Sequence, residues 1–141
     1  NGASGPVVGC QDSIVAVNSG QDETGSLTTQ MAASLAALFT IGTDTYGQSG
    51  FVDELNKSIL SVKDINISAT TVTINLPGSL KLSGTCSDAR QQAQILYTVF
   101  QYKGFQTAMI RIGDKNMKQL FDASGLVTVD ATYSRSDVSL P

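Results

Sequence analysis

The sequence predicts an α+β fold, a two-layer sandwich in which two helices cover one face of a mixed or antiparallel sheet. Two segments place apolar residues at the three- and four-residue spacing of an amphipathic helix. Four short segments rich in β-branched residues complete the order β-α-β-β-α-β, and a C-terminal strand or tail follows. Two helices on one face of a sheet bury both apolar stripes in a single core. A chain of 141 residues is long enough to build that core.

The N-terminal part of the chain begins with a strand and a helix. Residues 13–17 are mostly β-branched, and an Asn-Ser-Gly loop closes them, which predicts a strand. Ser26 has the side chain of a helix N-cap, and residues 27–39 then place apolar side chains at helical spacing. Alanines fill the gaps and Gly42 follows the end, so we predict the first helix here.

The middle of the chain predicts a β-hairpin. Apolar side chains alternate along residues 59–67, but their phase changes between Val62 and Ile65, which indicates a bulge or bend near Asp64. Residues 70–76 alternate between polar and apolar side chains until a Pro-Gly pair stops the strand. The two segments are close enough in sequence to pair directly, and we expect residues 80–84 to be irregular.

The second helix follows this hairpin. Ser87 is its predicted N-cap, and Asp88 lies in the first turn, where the helix dipole favours an anion. Residues 89–100 carry an apolar face at helical spacing, and Gly104 ends the helical pattern.

The C-terminal part predicts a strand at residues 107–112, a short helical turn at 117–121 and a further strand at 126–129. The chain thereby divides into a flexible linker at 1–10, a single domain at 11–133 and a tail at 134–141. The Gly- and Ser-rich start has the composition of a junction left after an export segment is removed.

Composition argues against several classes of function. The chain has no histidine, and nine basic against twelve acidic residues give a net charge of −3. The usual general base near neutral pH and the commonest metal ligand are therefore both missing. No basic cluster is present to neutralise phosphates, and the G-x-S-x-G, Walker and G-x-G-x-x-G motifs are missing too. We expect no catalytic residues, no bound metal, no cofactor and no nucleic-acid partner.

Cys10 and Cys86 are the two cysteines of the chain. A composition rich in Ser, Thr, Gly and Asn and poor in lysine is typical of exported proteins, in which cysteines pair. We therefore expect a disulfide between them. Two buried free thiols are the alternative.

A polar face of the second helix is the strongest candidate for an interaction site. Gln94 and Gln101 are seven residues apart, so they lie on about the same side of a helix, with Thr98 between them. Gln91 is expected to lie on this outer face as well. An ordinary amphipathic helix with a solvated face explains the same pattern. The predicted interaction residues are Arg90, Gln94, Thr98, Gln101 and Tyr102.

The same segment carries a resemblance to a known family. It reads Cys86-x3-Arg90-x2-Ala93-Gln94-x3-Thr98-x2-Gln101-x2-Gly104, and a strand ending in Gly-Asp-Lys follows it. A helix with Leu-x3-Met-x3-Leu-x2-Leu-Phe spacing precedes it. Over residues 13–120, the sequence resembles the GerMN domain, a module named after a sporulation and spore-germination lipoprotein. The cysteine pair is not a general feature of that family.

The resemblance implies a non-enzymatic scaffold domain of an exported bacterial envelope protein. Such a domain would lie outside the cytoplasmic membrane and bind other envelope proteins or copies of itself, for which a sporulation or germination assembly is one setting. Membrane association would come only from an upstream anchor. Edge-strand pairing at residues 72–76 is the alternative to the helix face.

Two other functions compete with the scaffold hypothesis. One is a secreted small-ligand or glycan-binding module in which the loop at 42–50 presents Tyr46 and Phe51 as stacking surfaces. The other is an enzyme that uses carboxylate pairs, for which Asp53 with Glu54 and residues 22–23 are the candidates.

Overall fold

The computed structural model describes residues 7–9, 12–13, 25–39, 45–46, 51–52, 59–82, 84–122 and 124–137. Within these ranges the helices are α1 (Leu27–Phe39), α2 (Thr85–Phe100) and α3 (Met117–Leu120), and a 3-10 helix spans Arg135–Asp137. The strands are β1 (Val7–Gly9), β2 (Asp12–Ser13), β3 (Thr45–Tyr46), β4 (Phe51–Val52), β5 (Ile59–Leu60), β6 (Asp64–Ser68), β7 (Thr71–Leu76), β8 (Gly78–Ser79), β9 (Thr107–Ile112), β10 (Lys115–Asn116) and β11 (Tyr133–Ser134).

The central sheet is mixed, with the order β10-β9-β7-β6 and with β11 also paired to β9. β6 and β7 are antiparallel, whereas β7 and β9 run parallel because α2 crosses over between them. The α+β class predicted from the sequence is confirmed. Alternate residues of both central strands are buried on the face that carries the helices: Val72, Ile74, Leu76, Ala108, Ile110 and Ile112.

Helix α1 begins and packs as the sequence predicts. The Ser26 side chain accepts a hydrogen bond from the N–H of Thr29 at 3.3 Å, and its carbonyl accepts one from Gln30 at 2.9 Å. Met31 and Leu35, four residues apart on one face, are completely buried. They join the core cluster that also contains the apolar face of α2.

The β6–β7 hairpin contains the predicted bulge. Asp64 is the register partner of Asn75, yet the preceding residue, Lys63, also donates its N–H to the carbonyl of Asn75 at 3.0 Å. Two successive residues therefore oppose one, which defines a β-bulge. Beyond the bulge the pairing continues through β5 and β8. The hairpin turns at Ala69, whose φ of 54° lies in the left-handed region.

The predicted N-cap of the second helix is wrong. Helix α2 begins at Thr85, Ser87 lies inside it, and Gly84 is the N-cap residue without a side-chain cap. Gly84 has a φ of 143°, which favours glycine, and its carbonyl accepts a hydrogen bond from the N–H of Asp88 at 2.8 Å. The glycine backbone therefore starts the helix three residues earlier than the serine pattern suggests.

The strand predicted at residues 126–129 is also wrong. This segment is irregular, and β11 instead pairs antiparallel with β9. Side chains take the backbone groups of the segment that a strand would use: the Asn116 amide donates to the carbonyls of Val129 and Ala131, and Gln119 donates to Val127. The loop can remain irregular because these groups are satisfied.

Both predicted terminal segments contain residues that belong to the fold. Within the predicted linker at 1–10, β1 pairs with β2 and contacts α2. At the start of the predicted tail, Ser134 pairs with Thr107 of β9. Most of the strand predicted at 13–17 lies outside the described residues.

Candidate functional site

Of the four polar residues predicted on α2, Thr98 and Gln101 use their side chains for hydrogen bonds within the helix itself. Arg90, Gln94 and Thr98 are half-buried, and Gln101 is exposed. The Thr98 hydroxyl donates to the carbonyl of Gln94 at 2.7 Å, and the Gln101 amide donates to the carbonyl of Thr98 at 3.0 Å. The Thr98 and Gln101 side chains stabilise the last turns of α2, and α2 also contacts both α1 and β1.

Tyr102 follows the end of α2, and its side chain faces α1. Its hydroxyl donates to the carbonyl of Gln30 at 3.1 Å and makes a short contact with the hydroxyl of Ser34. Tyr102 thereby joins the end of α2 to the middle of α1. It does not extend outward as the sequence suggested.

Gln91 is not on the outer face. Its side chain is completely buried, and its amide donates to the carbonyl of Lys81 at 2.8 Å. It fixes the segment between β8 and α2 to the helix. A buried glutamine with a backbone partner is satisfied, so it has a structural role here.

The cysteine prediction remains untested. Cys10 lies outside the described residues, and Cys86 lies in the first turn of α2. Thiol titration of the unreduced, denatured protein distinguishes a disulfide from two free thiols.

The residues of the two competing functions are mostly beyond the described ranges. Asp53, Glu54 and residues 22–23 are not among the described residues, and neither is most of the loop at 42–50. Tyr46 and Phe51 are register partners in the β3–β4 pair. In the described part of the chain, no three acidic or cysteine residues are grouped to hold a metal ion.

In the described part of the chain, the free edge of the central sheet is strand β6. β6 stands at one end of the strand order, whereas the other side of β9 carries both β10 and β11. On β7, the Leu76 carbonyl accepts a hydrogen bond from Gly113, beyond the end of β9, and the Asn75 carbonyl accepts one from Lys63 on the β6 side. Successive residues of β7 therefore bond to opposite neighbours.

The same alternation decides which groups of β6 face outward. Asn66 and Ser68 are register partners of Thr73 and Thr71 and direct their backbone groups toward β7. The N–H and C=O groups of Ile65 and Ile67 then point away from the sheet, and among the described residues no further hydrogen bond occupies them. An unpaired row of this kind is a template for another strand.

An open groove of about 480 Å³ lies between this edge and α1. Residues 62–65 form one wall. The α1 wall consists of small side chains, namely Thr28, Thr29, Ala32, Ala33 and Ala36. Small side chains leave space for the side chains of a strand laid against β6.

Among the described residues that line the groove, the charged ones are Lys63 and Asp64, at the bulge. The carboxylate of Asp64 accepts a hydrogen bond of 2.6 Å from the Asn75 amide across the strands. Helix α1 carries no charged residue in its thirteen positions. The α1 wall of the groove is therefore neutral.

Two perturbed groups lie in the C-terminal part of the chain. The Ser124 hydroxyl, followed by the N–H groups of Ser124 and Val127, donates to Asp122 and holds its pKa at about 2, below the usual 3.8. Burial raises the pKa of Tyr133, whose hydroxyl also accepts a hydrogen bond of 2.7 Å from Gln92. Tyr133 is on β11, at the edge opposite β6, and Asp122 follows α3, which contacts β9 and β10, so neither group is among the described residues that line the groove.

Sequence reasoning missed the β6 edge. The alternation of Ile65 and Ile67 predicts that they share one face of a strand, but strand order is a tertiary property. The edge proposed from the sequence, residues 72–76, is β7, which lies between β6 and β9.

Comparison with known proteins adds no relative: the chain matches no protein-family model, no curated protein and no solved structure. The likeness to the GerMN domain therefore remains a prediction from sequence. Among the described residues, no helix is both long and apolar enough to cross a membrane.

Proposed function

We propose that this chain is a non-enzymatic protein-interaction domain that binds another polypeptide by adding a strand to β6. The observation that carries the proposal is the outward-facing backbone of Ile65 and Ile67 beside a groove walled by small side chains. An extended segment laid along β6 gains main-chain hydrogen bonds from these residues, and its alternate side chains enter the groove.

The physical chemistry of the groove favours an apolar or neutral segment. Ile67 is 36% exposed although it lies on the helix-facing side of the sheet, where its register partner Val72 is buried. A docked strand removes this apolar surface from water. Because α1 contributes no charge, recognition here depends on shape and hydrogen bonding, with little dependence on salt.

The biological setting follows from the sequence resemblance. A GerMN-like domain belongs to an exported protein on the outer side of the cytoplasmic membrane. Its partners are then other envelope proteins, or copies of itself, in a sporulation or germination assembly. The domain acts as a scaffold in that setting.

Selection from a displayed library of random twelve-residue peptides tests strand addition. Peptides that bind the wild type should protect the amides of Ile65 and Ile67 from hydrogen exchange. They should fail to bind Ile67→Pro, which removes an outward N–H without removing a bond to β7. The matched control is the pair Gln94→Glu and Gln101→Glu on α2, which should retain binding.

Two results contradict the proposal. One is that selection yields no peptide that protects β6. The other is that binding survives Ile67→Pro but disappears in the double glutamate variant. The second result would transfer the interaction to the face of α2.

A further inference from the structure

We infer that the polypeptide accepted by β6 is a second copy of this chain, paired antiparallel so that Asn66 faces Asn66 across a two-fold axis. The inference rests on the proposed function and specifies its partner. The pairing joins the two central sheets into one continuous sheet across the axis, the isologous arrangement of a symmetric dimer.

The hydrogen-bond pattern selects this register. An antiparallel pair bonds through residues that exchange both N–H and C=O, and these alternate with residues that do not bond. With Asn66 on the axis, Ile65 lies opposite Ile67 of the second copy and Ile67 lies opposite its Ile65. The outward N–H and C=O groups of Ile65 in each copy then bond with those of Ile67 in the other copy. The pairing therefore contains four hydrogen bonds and leaves none of these outward groups without a partner. Displacing the register by two residues leaves some of them without partners.

The side chains of β6 are compatible with the same register. Asp64 lies opposite Ser68 of the second copy, so no like charges meet across the axis. Asn66 is exposed and meets its own copy, and amide side chains can donate and accept at once. On the helix-facing side, each Ile65 meets an Ile67, which extends the apolar layer beneath α1.

Helix α1 provides the second part of the interface. α1 contacts β6, so joining two β6 strands brings the two α1 helices toward each other on the same face of the sheet. Its groove wall is made of alanine and threonine, and Ala36 is exposed. Depletion of charge is typical of interface centres, and the thirteen residues of α1 contain none.

The size of the contact sets its strength. A pair of five-residue strands with two flanking helices falls in the class of interfaces below about 1,200 Å², which are weak or transient. We therefore expect a monomer–dimer equilibrium with a dissociation constant on the order of 10–100 µM. The isolated domain should be monomeric in dilute solution and dimeric near millimolar concentration.

Sedimentation velocity over that concentration range measures the equilibrium. Ile67→Pro and Ile67→Lys should each weaken dimerisation at least tenfold, the first by removing an outward N–H and the second by placing a charge in the paired apolar layer. The lysine variant is the safer of the two because the Ile67 side chain is already 36% exposed. Circular dichroism confirms that each variant is folded, and Gln101→Glu should dimerise as the wild type does.

An engineered disulfide tests the register itself. In a non-hydrogen-bonded antiparallel pair the Cα atoms are about 4.5 Å apart, within reach of a disulfide. Asn66→Cys should therefore form a 66–66 cross-link on mild oxidation, identified by peptide mass. Ser68→Cys is the matched control, because its two copies lie about 14 Å apart in this register.

The outcomes separate the partner from the proposed function. A protein that stays monomeric at millimolar concentration, or that cross-links equally through positions 66 and 68, overturns the self-pairing inference. If library peptides still protect Ile65 and Ile67 in that case, strand addition stands and the partner is another protein. A dimer that persists in both Ile67 variants contradicts self-pairing through β6, and the peptide selection then decides separately whether strand addition also fails.

Discussion

Replacing Arg135 by alanine tests how the C-terminal segment is attached to the core. The guanidinium group donates to the carbonyls of Phe100 at 2.9 Å and Phe105 at 3.1 Å, and it makes a third, short bond to Tyr102. It also lies 5.3 Å and 4.9 Å from the ring centres of Phe100 and Phe105. One side chain thereby satisfies carbonyls at the end of α2 and in the loop that leads to β9.

The expected loss follows from these contacts. Each hydrogen bond contributes about 1 kcal/mol net. The contacts with the two rings contribute about 0.5 kcal/mol more, because Arg135 is only half-buried. We therefore expect Arg135→Ala to lower the free energy of unfolding by about 3 kcal/mol, with a fall in Tm of about 10–15 °C.

Urea unfolding followed by far-ultraviolet circular dichroism measures this loss, since the chain has no tryptophan to report by fluorescence. Arg135→Lys keeps the positive charge but loses the planar guanidinium group that donates to several carbonyls at once. Its free energy of unfolding should therefore lie between those of the wild type and Arg135→Ala. Arg111→Ala is the matched control: its bond to Val129 is 3.5 Å long, and its removal should cost less than about 0.5 kcal/mol. Equal stability of Arg135→Ala and Arg111→Ala would show that Arg135 does not hold α2 in place.

Three further substitutions test other parts of the fold. Because the pKa of Asp122 is lowered to about 2 by folding, its stabilising contribution is complete above its unfolded value near 3.8 and is lost as the pH falls toward 2. The wild type should therefore be more stable than Asp122→Asn near neutral pH, and this difference in stability should disappear as the pH falls through that range. Urea unfolding midpoints of both proteins, measured at a series of acidic pH values, test this, and a difference that stays constant with pH would contradict it. Gly78→Ala should lower the free energy of unfolding by about 2 kcal/mol or more, because the φ of Gly78 is 120° and an added Cβ would lie 1.8 Å from the Ile59 carbonyl oxygen. If the variant melts at the same temperature as the wild type, the backbone adapts to the added Cβ and this reasoning is wrong. Gln91→Ala should lower the free energy of unfolding by about 2 kcal/mol, because it removes a buried hydrogen bond and leaves a void. If thermal unfolding shows almost no loss of stability, Gln91 is exposed to solvent as the sequence suggested.

The spacing of apolar residues was sufficient to predict a helix or a strand where a segment follows one periodicity throughout. Residues 27–39 form α1 within the predicted bounds, and residues 107–112 form β9. The phase change of apolar residues at Asp64 predicted the bulge, since side chains alternate along a strand and one extra residue reverses the alternation. These features depend on neighbours within a few residues of each other in the chain.

Local pattern failed where a hydrogen-bond partner outside the segment decides the structure. The valines and leucine of residues 126–129 have strand propensity, but the amides of Asn116 and Gln119 satisfy that segment as a loop. Gln91 looks like a surface residue by type, but it is buried because its amide has a carbonyl partner ten residues away. Propensity cannot report such partners.

The sequence by itself determined the class of fold, the bounds of α1 and β9, and the low charge that disfavours electrostatic steering. Only the tertiary structure decided the order of the strands, and with it the position of β6 at a free edge and of β7 inside the sheet. Both strands have the same alternation of polar and apolar residues. Which of them lacks a second neighbour among the described strands depends on the crossover through α2, which places β9 against β7 and leaves Ile65 and Ile67 at the edge.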